Sequence, residues 1–343
     1  MKRRALVKAG LALGSGAFIA RKAWAQGGTL NLYSARHYKT DEALYGNFAD
    51  LTGVKINRVD AEPDPLIQRL RTEGDKSPCD VFITVDAGRI ERAREMGLLQ
   101  ATDSAVLAKA IPAHLRDPDN TWFGFSKRAR VIMYAKDRVK PEQLSTYEDL
   151  ASPKWKGKIV TRSSTNIYQQ SWTGSMMVAL GMEGAETWAK GLVANFARPP
   201  KGGDRDQIAA VAAGEADIAV ANTYYLAGML MGKDANQKAQ AEKIGVFFPN
   251  QKDRGTHVNI SGGGVAKNAP NKANAIKFLE YLVTLEAQAY FAEGNYEYPV
   301  VADAKVAPVL SGWGRFKDDQ LNAQVFAKYN TDALKIMDRA GWK

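Results

Sequence analysis

The feature that most constrains the fold is a regular alternation of apolar strand-like runs with helix-like runs. Three pairs follow one another early in the chain, at 29–34 and 41–52, 54–60 and 65–73, and 80–85 and 87–96. Two further pairs follow at 158–161 and 166–180, and at 216–221 and 224–231. Alternation of this kind predicts an α/β fold with a mainly parallel sheet, and the two sets imply two α/β units.

Two extended segments are candidates for the connections between these units. Residues 122–135 are rich in aromatic and β-branched side chains, and residues 256–266 contain three consecutive glycines. We predict that both segments cross between two lobes and that the glycines ease backbone change at a hinge. Ordinary edge strands are the alternative. The predicted lobes are discontinuous, namely 26–125 with 256–304, and 126–255 with 305–343.

The N-terminus has the pattern of an export signal. Residues 1–25 begin with basic residues, continue through an apolar run and end in an A-x-A site, which predicts a signal peptide and a periplasmic location. The Arg3-Arg4 pair with Lys8 favours the twin-arginine route. An ordinary secretory signal is the alternative, because Leu6 stands where a twin-arginine signal usually has Phe.

Charge and cysteine content exclude several classes of protein. Residues 1–25 hold six of the 47 basic residues and none of the 37 acidic ones, so without them the net charge falls from +10 to +4. This removes most support for nucleic-acid binding. After residue 25 no apolar run is long enough for stable membrane insertion.

Cys79 is the only cysteine, which excludes a multi-cysteine metal site, and we expect it to be a buried structural thiol.

The sequence lacks the motifs of common enzymes. There is no P-loop, no G-x-G-x-x-G after a strand, no H-E-x-x-H and no G-x-S-x-G. The only histidines are His37, His114 and His257. The sequence therefore favours a binding protein over an enzyme.

Tyrosines stand at three junctions between a predicted strand and the following helix. In open α/β sheets the loops at the carboxyl ends of strands form the ligand crevice, so these side chains are candidates for one site. Core packing or covering of a hinge is the alternative for such aromatics. Two further tyrosines, Tyr296 and Tyr298, are interpreted mainly as packing residues that border the cleft. The junction candidates, with the histidine that precedes the first of them, are His37, Tyr38, Tyr168, Tyr224 and Tyr225.

The positions of these tyrosines suit metal binding. The positive end of a helix dipole favours a phenolate, and in a first helical turn Tyr224 and Tyr225 can converge. Phenolate is a hard oxygen donor that suits a trivalent ion such as Fe³⁺. Four phenolates and a neutral imidazole around Fe³⁺ leave one net negative charge, which Arg128 or Arg130 could balance.

Four stretches resemble one known family. They are residues 33–38 (YSARHY), 80–83 (DVFI), 214–225 (GEADIAVANTYY) and 295–300 (NYEYPV). These stretches resemble the periplasmic ferric-iron-binding proteins of bacterial ABC transporters, most of all the branch found in cyanobacteria. The resemblance covers nearly the whole chain after the signal peptide, and the segment that ends in the tyrosine pair is its most specific part.

The resemblance implies a type II periplasmic-binding-protein fold, with two α/β lobes joined by crossing hinge strands and the ligand cleft between them. It implies that Fe³⁺ is a transported ligand, bound by a monomer and delivered to an ABC transporter permease. Reduction to Fe²⁺ or docking to the permease would promote release. The implied iron ligands are His37, Tyr38, Tyr168, Tyr224 and Tyr225.

Two other functions stay open at this point. The same fold could bind a small organic or phosphorylated solute, such as a polyamine or a phosphonate. A non-haem iron enzyme is a more distant alternative, since such enzymes typically use two histidines and one carboxylate, and His114 and His257 lie outside the tyrosine loops.

Overall fold

The computed structural model describes residues 27–36 and 38–343, so the predicted signal peptide and His37 lie outside the described residues. The strands are β1 (Thr29–Ser34), β2 (Lys55–Asp60), β3 (Val81–Val85), β4 (Phe123–Ala135), β5 (Ile159–Val160), β6 (Ile218–Asn222), β7 (Ile244–Phe247), β8 (Val258–Val265) and β9 (Tyr298–Pro299). The first helices are α1 (Asp41–Thr52), α2 (Pro63–Glu73), α3 (Ala87–Glu95), α4 (Ala105–Ala110), α5 (Ile167–Ala194), α6 (Asp204–Ala212) and α7 (Thr223–Met231). The later helices are α8 (Ala235–Glu242), α9 (Lys272–Leu282), α10 (Leu285–Ala289), α11 (Pro308–Ser311), α12 (Ala323–Lys328) and α13 (Asn330–Arg339).

The strands follow the order β2-β1-β3-β8-β4-β6-β5, and β7 and β9 both pair with β4. In the first lobe β1 pairs in parallel with β2 and β3, as strand–helix–strand connections require. In the second lobe β5 and β6 are also parallel. The predicted α/β class with two units is therefore confirmed. The prediction of a mainly parallel sheet is wrong, because every pairing of β4 and β8 is antiparallel.

Strand β4 passes from one lobe to the other. Its first part, from Phe123 to Ala129, pairs antiparallel with β8 in the first lobe. From Arg130 onward it pairs with β6 and β7 in the second lobe. The chain returns between β7 and β8, where the Arg130 amide donates to the His257 carbonyl at 3.1 Å. Both segments that we predicted to cross are strands with neighbours on both sides, and neither is an edge strand. The lobe boundaries themselves stay a prediction.

The three glycines of β8 have a different role from the one we predicted. Gly262, Gly263 and Gly264 lie within the first-lobe sheet, between β3 and β4, and not at the crossing point. A Cβ atom at Gly263 would lie 2.2 Å from the Phe82 carbonyl oxygen, and one at Gly264 would lie 2.1 Å from that of Thr121. These positions therefore need glycine because neighbouring backbone approaches closely.

The side chains of β4 alternate between two cores, as the period of a strand requires. Val131 and Met133 face a core shared with the first lobe, whereas Ile132 faces a second core. The second core contains a tryptophan cluster in which Trp172 lies 5.0 Å from Trp188 and 6.1 Å from Trp342, measured between ring centroids. Helix α13 packs on α5 and so attaches the end of the chain to the second lobe.

Other sequence expectations have clear outcomes. The helix predicted to end at residue 180 continues as α5 to Ala194, but Gly181 breaks it with a φ of 72° and a ψ of 171°. Cys79 is fully buried, as predicted, and burial raises the pKa of its thiol well above the ordinary value. Among residues 27–36 and 38–343 we find no helix long and apolar enough to cross a membrane.

Candidate metal centre

A cavity of about 520 Å³ lies between the two lobes. The structure brings four of the predicted ligands to its wall, namely Tyr38, Tyr168, Tyr224 and Tyr225. His37 directly precedes Tyr38 in the chain but lies outside the described residues. The remaining polar groups on the wall come from both lobes and are Lys39, Thr40, Arg205, Asn295 and Tyr296.

Three of the tyrosines stand at helix N-termini of the second lobe. Asn166 caps α5 by accepting a hydrogen bond from the Tyr168 amide at 3.1 Å, and this fixes Tyr168 as the second residue of the helix. Tyr224 and Tyr225 are the second and third residues of α7. The positive ends of both helix dipoles therefore lie near the phenols, where they favour negative charge.

The tyrosine rings form a continuous group across the cleft. Tyr224 and Tyr225 have ring centroids 4.2 Å apart at an interplanar angle of 34°, so the adjacent pair converges, as expected for a first helical turn. Tyr38 comes from the loop between β1 and α1 in the first lobe. Its ring meets that of Tyr224 edge to face, at 6.5 Å and 85°. Phenol groups from both lobes thus face the same space.

Burial sets the protonation of these phenols. Tyr38 keeps part of its surface toward the cavity, yet burial and the Glu297 carboxylate raise its pKa well above the ordinary value. Burial and the neighbouring tyrosines raise the pKa of Tyr224 in the same way. Burial, together with Tyr168, also raises the pKa of Tyr225. These three phenols are therefore protonated at neutral pH when the site is empty, and a metal ion would displace their protons.

Arg128 supplies a cation beside the phenols. It is buried, its Nη1 donates to the Tyr168 hydroxyl at 3.3 Å, and Nη2 donates to the Ile260 carbonyl. The guanidinium lies 5.4 Å from the ring centroid of Tyr168 and 5.9 Å from that of Tyr224. Burial opposes its charge, but the surrounding tyrosines and Glu297 outweigh burial and raise its pKa. Of the two arginines proposed from the sequence, the structure places this one against the phenols.

Arg130 lies two residues further along β4 and has different partners. It is also buried, and its Nη1 approaches Asp204 Oδ1 at 3.3 Å and Asn222 Oδ1 at 3.1 Å. Its Nη2 donates to Gln169 and, at 3.2 Å, to the Val220 carbonyl. Asn222 directly precedes α7 and Gln169 follows Tyr168, so Arg130 ties together the two helix starts that carry second-lobe tyrosines.

Several charged residues at the site were not found by reading the sequence. Arg36 lies 4.9 Å from the Tyr38 ring centroid, and Arg205 lies 5.2 Å from that of Tyr225. Glu297 is fully buried and contacts Arg36 at 3.3 Å. Arg36 and Glu297 fall inside the stretches that resemble the ferric-binding family, which is the signal that could have pointed to them. Nothing in the sequence around Arg205 indicated the site.

The two tyrosines expected to border the cleft have different positions. Tyr296 lines the cavity and adopts a positive φ of 55°, which is unusual for a residue with a bulky side chain. Tyr298 is buried, and its ring packs against that of Phe316 at 5.1 Å. Tyr298 is therefore a packing residue.

The donor set fits a hard, highly charged cation. Phenolate oxygens are hard donors, and no group of three or more His, Cys, Asp or Glu side chains that could hold a metal occurs in the part of the chain that the structure describes. The cavity wall among those same residues carries no Asp or Glu side chain. Any metal held here would depend on the tyrosines.

Residues 76–322 match the family model described as bacterial extracellular solute-binding protein. The chain is 52% identical to iron uptake protein A1 of Synechocystis over 314 residues, which is 92% of this chain and 87% of that protein. It is 28% identical to an Fe(3+)-binding periplasmic protein of Serratia marcescens, over 86% of this chain and 85% of that one. The chain therefore belongs to the bacterial extracellular solute-binding protein family.

Solved structures support the same relationship. FutA of Trichodesmium, solved in complex with iron and citrate ligands, is 60% identical and superposes with a TM-score of 0.90, covering 92% of this chain and all of that one. The ferric binding protein of Campylobacter jejuni is 41% identical with a TM-score of 0.86, over 92% of this chain and all of that one. The predicted type II periplasmic-binding-protein fold is confirmed.

Proposed function

We propose that this protein binds ferric iron in the cavity between its lobes and delivers the ion to the permease of an ABC importer. The observation that carries the proposal is the convergence of four tyrosines from two lobes on one cavity, beside the buried cation of Arg128. The relatives named as iron uptake and ferric binding proteins support this choice of solute. The proposed ligands are Tyr38, Tyr168, Tyr224, Tyr225 and, from the resemblance, His37.

Charge balance supports a trivalent ion. Four phenolates around Fe³⁺ leave one negative charge, which a neutral imidazole does not change. Arg128, hydrogen-bonded to the Tyr168 hydroxyl, offsets that charge. The helix N-termini at Tyr168 and Tyr224 stabilise the phenolates further.

Iron binding would be coupled to closure of the lobes. Tyr38 belongs to the first predicted lobe (26–125 and 256–304), and the other three tyrosines belong to the second (126–255 and 305–343). Ligand bonds drawn from both lobes stabilise the closed state relative to the open one. Reduction to Fe²⁺, which phenolates bind less well, or docking to the permease would favour release.

The export and assembly of the protein are part of the proposal. Residues 1–25 would direct export to the periplasm, by the twin-arginine route, and the mature protein would act as a monomer. The solute-binding family supports an extracytoplasmic binding protein rather than an enzyme. His114 and His257 do not line the cavity. The His257 ring packs against Phe326, with ring centroids 4.9 Å apart, and His114 Nε2 lies 3.7 Å from Asp318 Oδ2.

A small anionic solute is the second candidate, because Lys39 and Arg205 also line a cavity that is much larger than one ion. A polyamine is a poor fit, since the described wall has no carboxylate to bind its ammonium groups. An anionic solute alone would need no phenolates. The formation of a coloured phenolate–iron complex separates the two functions.

The test is a visible titration of the mature protein with ferric citrate, compared with the double variant Tyr224→Phe/Tyr225→Phe. We expect a broad charge-transfer band that saturates at one iron per chain in the wild type and is lost in the double variant. Tyr33→Phe is the control, because Tyr33 lies on β1 and donates to Glu73 at 2.9 Å, away from the cavity. A wild type without any band would refute the proposal.

A further inference from the structure

Glu297 is a buried carboxylate with charged partners on two sides. Its side chain is 0% exposed. Oε2 accepts from the Ser126 hydroxyl at 2.6 Å and from Arg36 Nη1 at 3.3 Å. Oε1 accepts from the Ser261 hydroxyl at 3.0 Å and faces Arg128 Nε at 3.8 Å. A buried carboxylate is retained at a low cost only when it is paired and hydrogen-bonded in this way.

The first partner leads to the tyrosine of the first lobe. Arg36 donates to Asp41 through Nε at 2.9 Å and through Nη2 at 3.2 Å, and its Nη1 reaches Glu297. Held from both sides, the guanidinium lies 4.9 Å from the Tyr38 ring centroid and the same distance from that of Phe291. The position of the Tyr38 ring thus depends on a guanidinium whose second anchor is Glu297.

The second partner leads to the tyrosines of the second lobe. Arg128 lies in β4 directly before Ala129. Ala129 is the last residue of β4 that pairs with β8, and beyond it the strand passes into the second lobe. Its guanidinium contacts the Tyr168 hydroxyl and lies near the Tyr224 ring. Ser126 and Ser261, which bind the Glu297 carboxylate, lie on β4 and β8 themselves. Glu297 is therefore fixed to both strands at the base of the cleft.

We propose that Glu297 is the positioning residue that holds the Arg36 and Arg128 guanidinium groups in place and thereby sets the relative placement of iron-binding phenols from the two lobes. The inference rests on the proposed function and extends it to a residue that touches no ligand phenol. Asp41, Arg36, Glu297 and Arg128 form a neutral group of alternating charge, which we call the Glu297 cluster.

The cluster explains why a carboxylate of this length stands here. One glutamate reaches both guanidinium groups and both serine hydroxyls. A glutamine would keep the length but present one donor group to an arginine, which has no acceptor. An aspartate would keep the charge but shorten the reach by one carbon–carbon bond. Either change displaces at least one guanidinium from its tyrosine.

The test compares Glu297→Gln with Glu91→Gln, a matched change of another buried glutamate. Glu91 pairs with Arg94 at 2.7 Å and accepts from Trp122 Nε1 at 3.0 Å, so its loss also removes bonds to an arginine inside the first lobe. Melting temperatures are measured first, and all variants are then titrated with ferric citrate at a temperature where each is folded. Both the affinity and the wavelength of the tyrosinate–iron band are recorded.

We expect Glu297→Gln to weaken iron binding by roughly ten- to a hundredfold, as is typical of residues that orient metal ligands, and to shift the band. Glu91→Gln should leave affinity and band unchanged. Glu297→Gln with the wild-type band and affinity would overturn the inference while leaving the proposed function intact. A wild type without a band would overturn both.

If Glu297→Gln does not fold, Ser261→Ala replaces it in the comparison. That change removes the 3.0 Å hydrogen bond to Oε1 and keeps every charge of the Glu297 cluster. A several-fold loss of affinity with a shifted band supports the inference, and wild-type behaviour refutes it.

Discussion

The two halves of the candidate site are built in different ways. In the second lobe, Tyr168, Tyr224 and Tyr225 follow capping positions and occupy the first turns of α5 and α7. In the first lobe, Tyr38 lies in an irregular loop and is placed by contacts with residues far along the chain. Arg36 reaches Glu297, and the Thr40 hydroxyl donates to Asn295.

The difference indicates how each half responds to change. Local structure positions the second-lobe tyrosines, because a helix start fixes the directions of its first side chains. Tertiary contacts position Tyr38, and they connect residues more than 250 positions apart, as in the contact between Thr40 and Asn295. We therefore expect substitutions far along the chain to disturb the first-lobe half more than the second-lobe half.

The largest expected effect is the dependence of iron binding on pH. Burial raises the pKa of Tyr38, Tyr224 and Tyr225, so these phenols are protonated in the empty site near neutral pH. Each phenol that becomes a ligand must release its proton, which changes the affinity roughly tenfold per pH unit. Binding should therefore weaken as the pH falls, by at least about a thousandfold per unit if these three phenols all bind. Competition with a chelator of known pH dependence measures the slope.

The same slope shows whether the first-lobe half supplies a phenolate ligand. Tyr38→Phe should lower the number of protons released per iron by one, and Tyr33→Phe should not change it. An unchanged proton count in Tyr38→Phe would mean that Tyr38 is not a ligand and that every phenolate ligand comes from the second lobe. In that case the first-lobe half would cover the metal site without supplying a phenolate ligand.

The fold and the second-lobe half were largely predictable from sequence. Strand–helix alternation gave the α/β units, and capping residues such as Asn166 marked the helix starts at which tyrosines stand. The convergence of Tyr224 and Tyr225 followed from placing them in a first turn rather than on a strand.

The remaining features depend on approach in space, which one sequence does not display. The need for glycine at Gly263 comes from the Phe82 carbonyl on a neighbouring strand. The buried pairing of Arg36 with Glu297 joins residues 261 positions apart. Arg128 and Arg130 could not be distinguished in advance, because β4 passes from one lobe to the other between them.

The next largest effect separates these two arginines. Arg128→Lys should weaken iron binding by about ten- to a hundredfold, because lysine cannot keep contacts with Tyr168, Ile260 and Glu297 together. Arg130→Lys should leave the affinity within a few fold but lower the free energy of unfolding by about 2 kcal/mol, through lost hydrogen bonds of a charged group. Ferric titration and urea unfolding measure the two quantities. The reverse pattern would show that Arg130 is the cation the metal centre uses.

The smallest effect tests whether the two halves are positioned by local or by tertiary contacts. Asn166 caps α5, so Asn166→Ala should lower the free energy of unfolding by about 1 kcal/mol, and Asn166→Asp, another good capping residue, should restore it.

Thr40 precedes α1 without a side-chain cap, and its hydroxyl binds the Asn295 side-chain oxygen instead. By local rules Thr40→Asp improves a helix start. In this structure it places a carboxylate against an acceptor oxygen, so stability should fall by about 1 kcal/mol. Urea unfolding of the four proteins, including the wild type, decides the point. A Thr40→Asp variant as stable as the wild type would show that α1 can be capped locally and that the first-lobe loop depends on tertiary contacts less than its geometry indicates.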